Sequence, residues 1–408
     1  MSWQQRIHQA VQQRKADNLW RQRINVGSPQ SARILVDGQS LLNFSSNDYL
    51  GLAQQTEPLI NAAKAWGMGS GASHLVCGHS SAHQQLEQAL AESVGYPRAL
   101  LFSNGYMANL AVLQTLLRRQ DHLYQDKLNH ASLIDGGLIS SAKMHRYRHN
   151  DGAHLSHFLK QHQTSAPESL VTASSSSLNE QTVSSLSLVA TDAVFSMDGD
   201  QANLAELATI CQQHQALLMI DDAHGFAVLG NSAHTGSHAK QGLTAEQVPI
   251  YMGTLGKGLG GYGAFIAGSE ELIEYLIQFA RPYIYTTAIP AALASAMQTN
   301  LEVVMTGKQQ ALLAANIDYF RQQAQHLALN IMPSSTAIQP LLIGDDAKAV
   351  AISQQLKQQG ILVTAIRPPT VAKGSARLRI TLTANHTEKD IDYLLTSLVS
   401  ILESGYGV

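Results

Sequence analysis

Two runs decide the fold: LLMIDDAHGFAVLG, Leu217–Gly230, and VPIYMGTLGKGLGG, Val248–Gly261. Leu217 to Ile220 is a short apolar run, long enough for a buried strand. It delivers Asp221 and His224 to its carboxyl end. Val248 to Met252 is a second such run, and it delivers Thr254 and Lys257. In open α/β sheets, ligands bind in the crevice beyond the carboxyl ends of the strands. An acid, an imidazole, a hydroxyl and an amine are expected to converge there.

A lysine flanked by glycines is accessible and forms an imine with an aldehyde. Pyridoxal 5'-phosphate (PLP) is the common aldehyde cofactor, and its pyridinium nitrogen needs a carboxylate partner. In that reading Lys257 takes the aldehyde and Asp221 keeps the ring nitrogen protonated. His224 reaches the ring oxygen, and Thr254 the phosphate. Each motif alone has a plainer reading. A lone Gly-Lys-Gly is usually a loop with a solvated lysine, and Asp-Asp after a strand is often a helix cap. TLGKG following DDAHG on consecutive strands favours the cofactor. Two phosphate motifs mislead. Gly256, Gly258 and Gly261 match G-x-G-x-x-G, but that fingerprint should open a helix, and here an apolar run, Ala264 to Ala267, follows. A P-loop fails because Tyr251 and Gly258 stand where Gly and Ser or Thr belong.

The 408 residues allow two or more domains and a large core. Hydrophobic residues at 45% and charged residues at 14% suit a globular enzyme rather than a disordered chain. A net charge of −3 offers no basic surface for nucleic acid or membrane. Cys77 and Cys211 imply no disulfide framework. The first residues are polar and lack the apolar core of a signal peptide, and no apolar run reaches membrane-spanning length. The cytoplasm is the expected location.

Ser2 to Arg23 reads as one amphipathic helix, and Arg33 to Leu42 as two strands about the turn Asp37-Gly38. Asn43 to Leu52 is dense in turn formers. Gly67 to Gly78 is a glycine-rich loop whose backbone can approach an anion. Ser103-Asn104-Gly105 opens a helix whose free N–H groups make a phosphate seat, with Tyr106 beside the cofactor. His130 lies just past the strand Leu123 to Gln125; such a histidine is usually structural, but beside a PLP ring it can stack on the face. The Ser-rich stretch Gln163 to Ser187 is expected to be an exposed or disordered loop. Leu186 to Phe195 resumes as a strand ending in SMDGD, a turn that brings Ser196 towards the ring.

Beyond Pro290 come two long helices, then Ile338 to Ile343, Ile361 to Ala365 and Arg377 to Leu382 as strands between further helices. That is an α+β unit distinct from the doubly wound, mostly parallel centre. The expected division is 1–45, a helix and short strands belonging with the small domain; 46–288, the large PLP-binding domain; and 289–408, the small α+β domain. Seventeen histidines prompt a metal reading. His79 with His83, and His145 with His149, are four apart, but neither pair shows a third ligand or the H-E-x-x-H form, so no metal is expected.

LNFSSNDYLGL (Leu42–Leu52), GSGASHLVCG (Gly69–Gly78), NHASLIDG (Asn129–Gly136), FSMDGD (Phe195–Asp200), DDAHG and TLGKG together carry a resemblance. So do QFARPYIYTT (Gln278–Thr287), AIRPPTV (Ala365–Val371) and GSARLR (Gly374–Arg379). The chain resembles the α-oxoamine synthase family of fold-type-I PLP enzymes over nearly its whole length. AIRPPTV with GSARLR points to the branch that makes 8-amino-7-oxononanoate. The resemblance implies a decarboxylating condensation of L-alanine with a pimeloyl thioester, on acyl carrier protein (ACP) or coenzyme A (CoA), in biotin synthesis.

It further implies roles for named residues. Lys257 holds PLP and is the base, Asp221 fixes the electron sink, and His130 stacks on the ring and bonds the substrate carbonyl. Gly105 and Tyr106 seat the phosphate, and Arg379 holds the alanine carboxylate. Arg21, Thr370 and Asn47 are substrate-contacting positions. The family is usually homodimeric with the site at the interface, so Thr286 or Thr287 serves the partner's phosphate. Ala72 stands where glycine is usual, and His79 where tyrosine or threonine is common. A family member using glycine and another acyl-CoA, or a catalytically idle PLP-fold binding module, are the alternatives.

Overall fold

The Ser2 hydroxyl accepts from the Gln5 backbone N–H, and the Gln5 side chain returns a bond to the Ser2 N–H. This capping box starts a helix at Trp3–Ala16 that stops well short of the expected Arg23. No residue of the helix is buried, and Trp3 and Ile7 face outwards. Helices in proteins are prolonged mainly by a packed apolar face, which this one lacks among the described residues. The computed structural model describes residues 1–17, 19–163 and 185–406, so most of the Ser-rich stretch lies outside the described residues.

The chain continues through a hairpin, β1 (Arg33–Val36) and β2 (Gln39–Asn43). Asp37 and Gly38 at its tip both have positive φ, 51° and 82°, the demand of a two-residue turn that matches strand twist. Then follow β3 (Arg98–Phe102), β4 (His122–Asp126), β5 (Lys143–Tyr147), β6 (Ser187–Asp192), β7 (Leu217–Asp221), β8 (Ile250–Thr254) and β9 (Ala264–Gly268). They form one seven-stranded sheet in the order β3-β9-β8-β7-β6-β4-β5. Only β9 is antiparallel to its neighbours, because it follows β8 directly through a tight loop; parallel neighbours need a crossover instead.

Strand β7 shows why the sheet is central. Leu218 and Ile220 pack into the core on one face, and Met219 into the core on the other. All three are fully buried, each stabilising by about 1.5–3 kcal/mol. A strand wetted on neither face must read as a continuous apolar run, and Leu217 to Ile220 does.

The last part of the chain holds β10 (Ile338–Gly344), β11 (Ile361–Leu362), β12 (Thr364–Ile366) and β13 (Ala376–Thr381). The single strand expected at Ile361 to Ala365 is in fact two. β11 runs parallel to β2, and β12 antiparallel to β13. The chain changes sheets across the buried Val363, giving two three-stranded sheets, β1-β2-β11 and β10-β13-β12. Phe44 joins them: its N–H donates to Leu362 O at 2.9 Å, and its carbonyl accepts from the Thr381 N–H at 2.8 Å. Among the described residues, no helix is long and apolar enough to cross a membrane.

Candidate active site

Strands β6, β7 and β8 lie side by side and end in Asp192, Asp221 and Thr254. The loop from β8 to β9 carries Lys257. It is closed by Leu255 N–H to Gly263 O at 2.9 Å and Gly261 N–H to Leu255 O at 2.7 Å. The glycines run into a strand, as their sequel indicated, and not into a helix. Gly260 has φ +69°, and a Cβ there would sit 2.5 Å from the Ala53 nitrogen. Only glycine lets the lysine loop lie against the backbone at Leu52-Ala53.

Gly105, Tyr106, His130, Ser196, Asp221, His224, Thr254 and Lys257 line one cavity of about 220 Å³. The helix Gly105–Leu116 opens on it, capped by the Asn104 side chain, which accepts from the Met107 N–H at 2.9 Å. Its unpaired first N–H groups are an anion seat. A Cβ on Gly105 would lie 2.8 Å from Thr254 Cγ2, so the cradle is open because that residue is glycine. The Tyr106 hydroxyl donates to Asp135, and the Thr254 hydroxyl to Ala223 O at 3.1 Å. The His130 ring is fixed by Ser132 Oγ, 2.7 Å from Nδ1.

The carboxylate of Asp221 is held at both oxygens. Asn109 Nδ2 donates to Oδ2 at 2.7 Å, and the Ala223 N–H to Oδ1 at 3.1 Å. Beside it, Asp192 accepts from the His130 N–H with Oδ2 at 3.0 Å. Asp192 Oδ1 has no hydrogen-bond partner among the described residues. Burial, and then the charge of Asp221, push the Asp192 carboxyl well above the usual carboxylate range. A buried acid at the edge of the cavity with one oxygen left without a partner among the described residues suits a ligand that brings a polar atom to it.

From Lys257 a line of polar groups runs to the small sheets. Lys257 Nζ stands 2.9 Å from His224 Nε2, and Tyr49 Oη 2.5 Å from His224 Nδ1. The Tyr49 hydroxyl donates to Asn47 Oδ1 at 3.2 Å, and Arg379 Nη2 donates to the same oxygen at 3.2 Å. Since Tyr49 spends its proton on Asn47, His224 Nδ1 is the donor to Tyr49 and Nε2 the acceptor facing Lys257. Burial, then Lys257 itself, holds His224 well below the usual imidazole range, so the ring is neutral. Arg379 also donates to Ser196 O at 2.6 Å and to Thr381 Oγ1 at 2.9 Å.

Burial lowers the Lys257 amine to about 8, against the pull of Asp221 and Asp192. A sizeable neutral fraction near neutral pH makes it a nucleophile. Capture of PLP by the cofactor-free protein is therefore expected to accelerate with pH, with a midpoint near 8 rather than 10.5. Stopped-flow absorbance across pH 6–11 checks this, and a midpoint at the ordinary lysine value would refute it.

Not every expected residue gathers here. Arg21 and Thr370 line a second cleft of about 460 Å³ with Trp20 and Arg367. The Thr286 hydroxyl turns back to Pro282 O at 2.7 Å, and Thr287 pairs with Ser73 on the exposed side. Neither threonine lines this chain's cavity. His145 is not grouped with His149. It lies with His122 and His162, while His149 bridges Asp126 and Asp200. Asn109, Asp192 and Tyr49 were not anticipated. The one hint was Asn109, a lone amide in the apolar run ANLAVL.

The family described as aminotransferase class I and II matches residues 39–398. The 8-amino-7-oxononanoate synthase of Saccharophagus degradans is 48% identical over 413 residues, covering 100% of this chain and 99% of the relative. That of Pseudomonas entomophila is 51% identical over 392 residues, covering 95% and 94%. Among solved structures, 8-amino-7-oxononanoate synthase from Francisella tularensis superposes with a TM-score of 0.72 at 30% identity, covering 90% of this chain and 99% of that one. Serine palmitoyltransferase of Sphingomonas wittichii superposes with a TM-score of 0.88 at 26% identity, covering 99% of both. PLP is the cofactor of this fold, and the amine, the doubly held carboxylate and the glycine-lined anion seat of the cavity suit it. The chain belongs to the class I and II aminotransferase family and, within it, to the 8-amino-7-oxononanoate synthases.

Proposed function

We propose that the enzyme condenses L-alanine with a pimeloyl thioester, on acyl carrier protein or coenzyme A, releasing carbon dioxide and the free thiol carrier. The observation that carries this reading is the union in one cavity of Lys257, Asp221 and the Gly105 helix end, in a chain about half identical to synthases of that name. Bound PLP supplies an electron sink for the carbanion made at the amino-acid Cα. Lys257 holds the cofactor, and Asp221, oriented by Asn109, pairs its ring nitrogen. Gly105, Tyr106 and Thr254 would seat its phosphate, and His130, Ser196 and His224 would line the space about its ring.

Lys257 Nζ takes and returns the Cα proton, and neutral His224 accepts a hydrogen bond from that amine through Nε2. Arg379 holds the amino-acid carboxylate with Asn47 beside it, since its guanidinium is already aimed by Ser196 O, Thr381 and Asn47. Asp192, its carboxyl pushed up by burial and then by the charge of Asp221, presents an oxygen to the cavity that has no partner among the described residues. The cleft of Arg21 and Thr370 takes the acyl chain or its carrier. Thr286 or Thr287, outside their own cavity, serves the phosphate of a partner subunit in a homodimer. The small domain draws on residues 1–45 as well as 289–408, a reading supported by the pairing of β2 with β11.

A product assay with alanine against glycine tests the assignment. Alanine is expected to turn over faster with a pimeloyl thioester, and faster turnover of glycine would refute it. One methylene is worth only about 1–3 kcal/mol, so the expected preference is about 10–200-fold.

A further inference from the structure

Away from the cofactor, three imidazoles meet at the outer edge of the large sheet. His122 is the first residue of β4, His145 is the middle of β5, and His162 lies in the last turn of the helix Gly152–Gln163. One ring nitrogen from each lies within 4.8 Å of the others. His122 Nδ1 and His145 Nε2 face each other at 2.9 Å. Ring centroids of His162 stand 4.4 Å from His122 and 4.2 Å from His145.

Sheet register assembles the group. Tyr124 pairs with His145 across β4 and β5, and His122, two residues before Tyr124, shares its face. That face meets the helix bearing His162, whose Phe158 also contacts His145. Tyr124 is buried, and its hydroxyl stands 2.8 Å from His162 Nδ1. The contact leaves Nε2 as the His162 nitrogen available for a ligand bond.

We propose that His122, His145 and His162 form a structural binding site for one divalent transition cation of the imidazole-preferring class, with zinc as its first choice. Imidazole suits zinc, copper and nickel. With Zn–N bonds of about 2.0–2.1 Å, two nitrogens on one tetrahedral ion stand about 3.3 Å apart. The 2.9 Å pair and the 4.8 Å outer limit bracket that separation, within reach of small side-chain rotations. Burial first, and then the neighbouring rings, lowers His145 to about 4, and burial also lowers His122 and His162. All three are therefore neutral, the form that ligates a metal. Tyr124 is the outer partner that orients a ligating histidine. Lys143 is the opposing charge, but it is exposed and can swing into water.

A cation here would pin the edge strand β5 and the end of a helix onto β4. His122 begins β4, whereas the catalytic groups lie past the strands' other ends, so stability and not turnover should respond. The test uses the PLP-loaded enzyme, stripped by a chelator and titrated with zinc chloride by calorimetry and thermal melting. Expected are one equivalent per chain and a Tm rise of about 2–4 °C at a hundredfold excess over Kd. His162→Ala, at a half-exposed helix end, should weaken binding at least about 10–100-fold and remove the Tm rise, and Tyr124→Phe should weaken it about 10-fold. Cobalt should show tetrahedral visible bands that His162→Ala lacks, and turnover should be unchanged throughout. If the native enzyme takes up no zinc, or if His162→Ala binds it equally well, the proposal fails and the three rings are hydrogen-bonded packing only.

Discussion

Lys257→Ala is expected to lower turnover by about 10⁴-fold or more while leaving the melting temperature close to that of the native enzyme. In the proposed function the amine both holds the cofactor and moves the Cα proton, and no described neighbour can replace it. His224, the nearest base at 2.9 Å, already gives its Nδ1 proton to Tyr49 and lies well below the usual imidazole range. The fold should tolerate the loss because the loop is held by backbone bonds, Leu255 to Gly263 and Gly261 to Leu255, and not by the lysine. Steady-state assay and melting on one sample check both parts, and visible absorbance reports whether the cofactor is still held. Activity within tenfold of native would end the assignment of Lys257.

Asp221→Asn is expected to be the next most damaging change. The carboxylate accepts two bonds, from Asn109 Nδ2 and the Ala223 N–H, and in the proposed function it pairs the cofactor's ring cation. An amide offers one acceptor oxygen and an NH2 group that must confront one of those donors. It also brings no charge. Leaving a buried cation without its partner costs about 3–5 kcal/mol, or about 10²–10⁴ in rate. The cofactor should still attach through Lys257, so the visible band should persist while turnover falls. Undiminished turnover would show that the ring nitrogen does not depend on this acid.

The centre of the fold was legible because it is written locally. A strand buried on both faces needs an unbroken apolar run, and Leu217 to Ile220 and Val248 to Met252 supply it. The polar residues that end those runs must then stand in the crevice. What stayed hidden depends on distant register. Asn109 reaches Asp221 across 112 positions, and Tyr49 reaches His224 across 175. His122, His145 and His162 are spaced by 23 and 17 residues, a pattern with no local signature. His145 and His149 are four apart in sequence, but the alternation of a strand and the pitch of a helix give His145 other neighbours. The N-terminal helix was overdrawn for the opposite reason. Its apolar positions have the right period, yet none of the helix's residues is buried against the described residues. The division of Ile361 to Ala365 between two sheets was equally hidden, since both halves are short and apolar.

That division has a mechanical result. The backbone leaves one small sheet and enters the other across Val363, and Phe44 is bonded to both. The hairpin near the start of the chain and the strand bearing Arg379 are thus geared together. A displacement of the strand bearing Arg379 is passed to the hairpin at Arg33–Asn43 through these backbone hydrogen bonds.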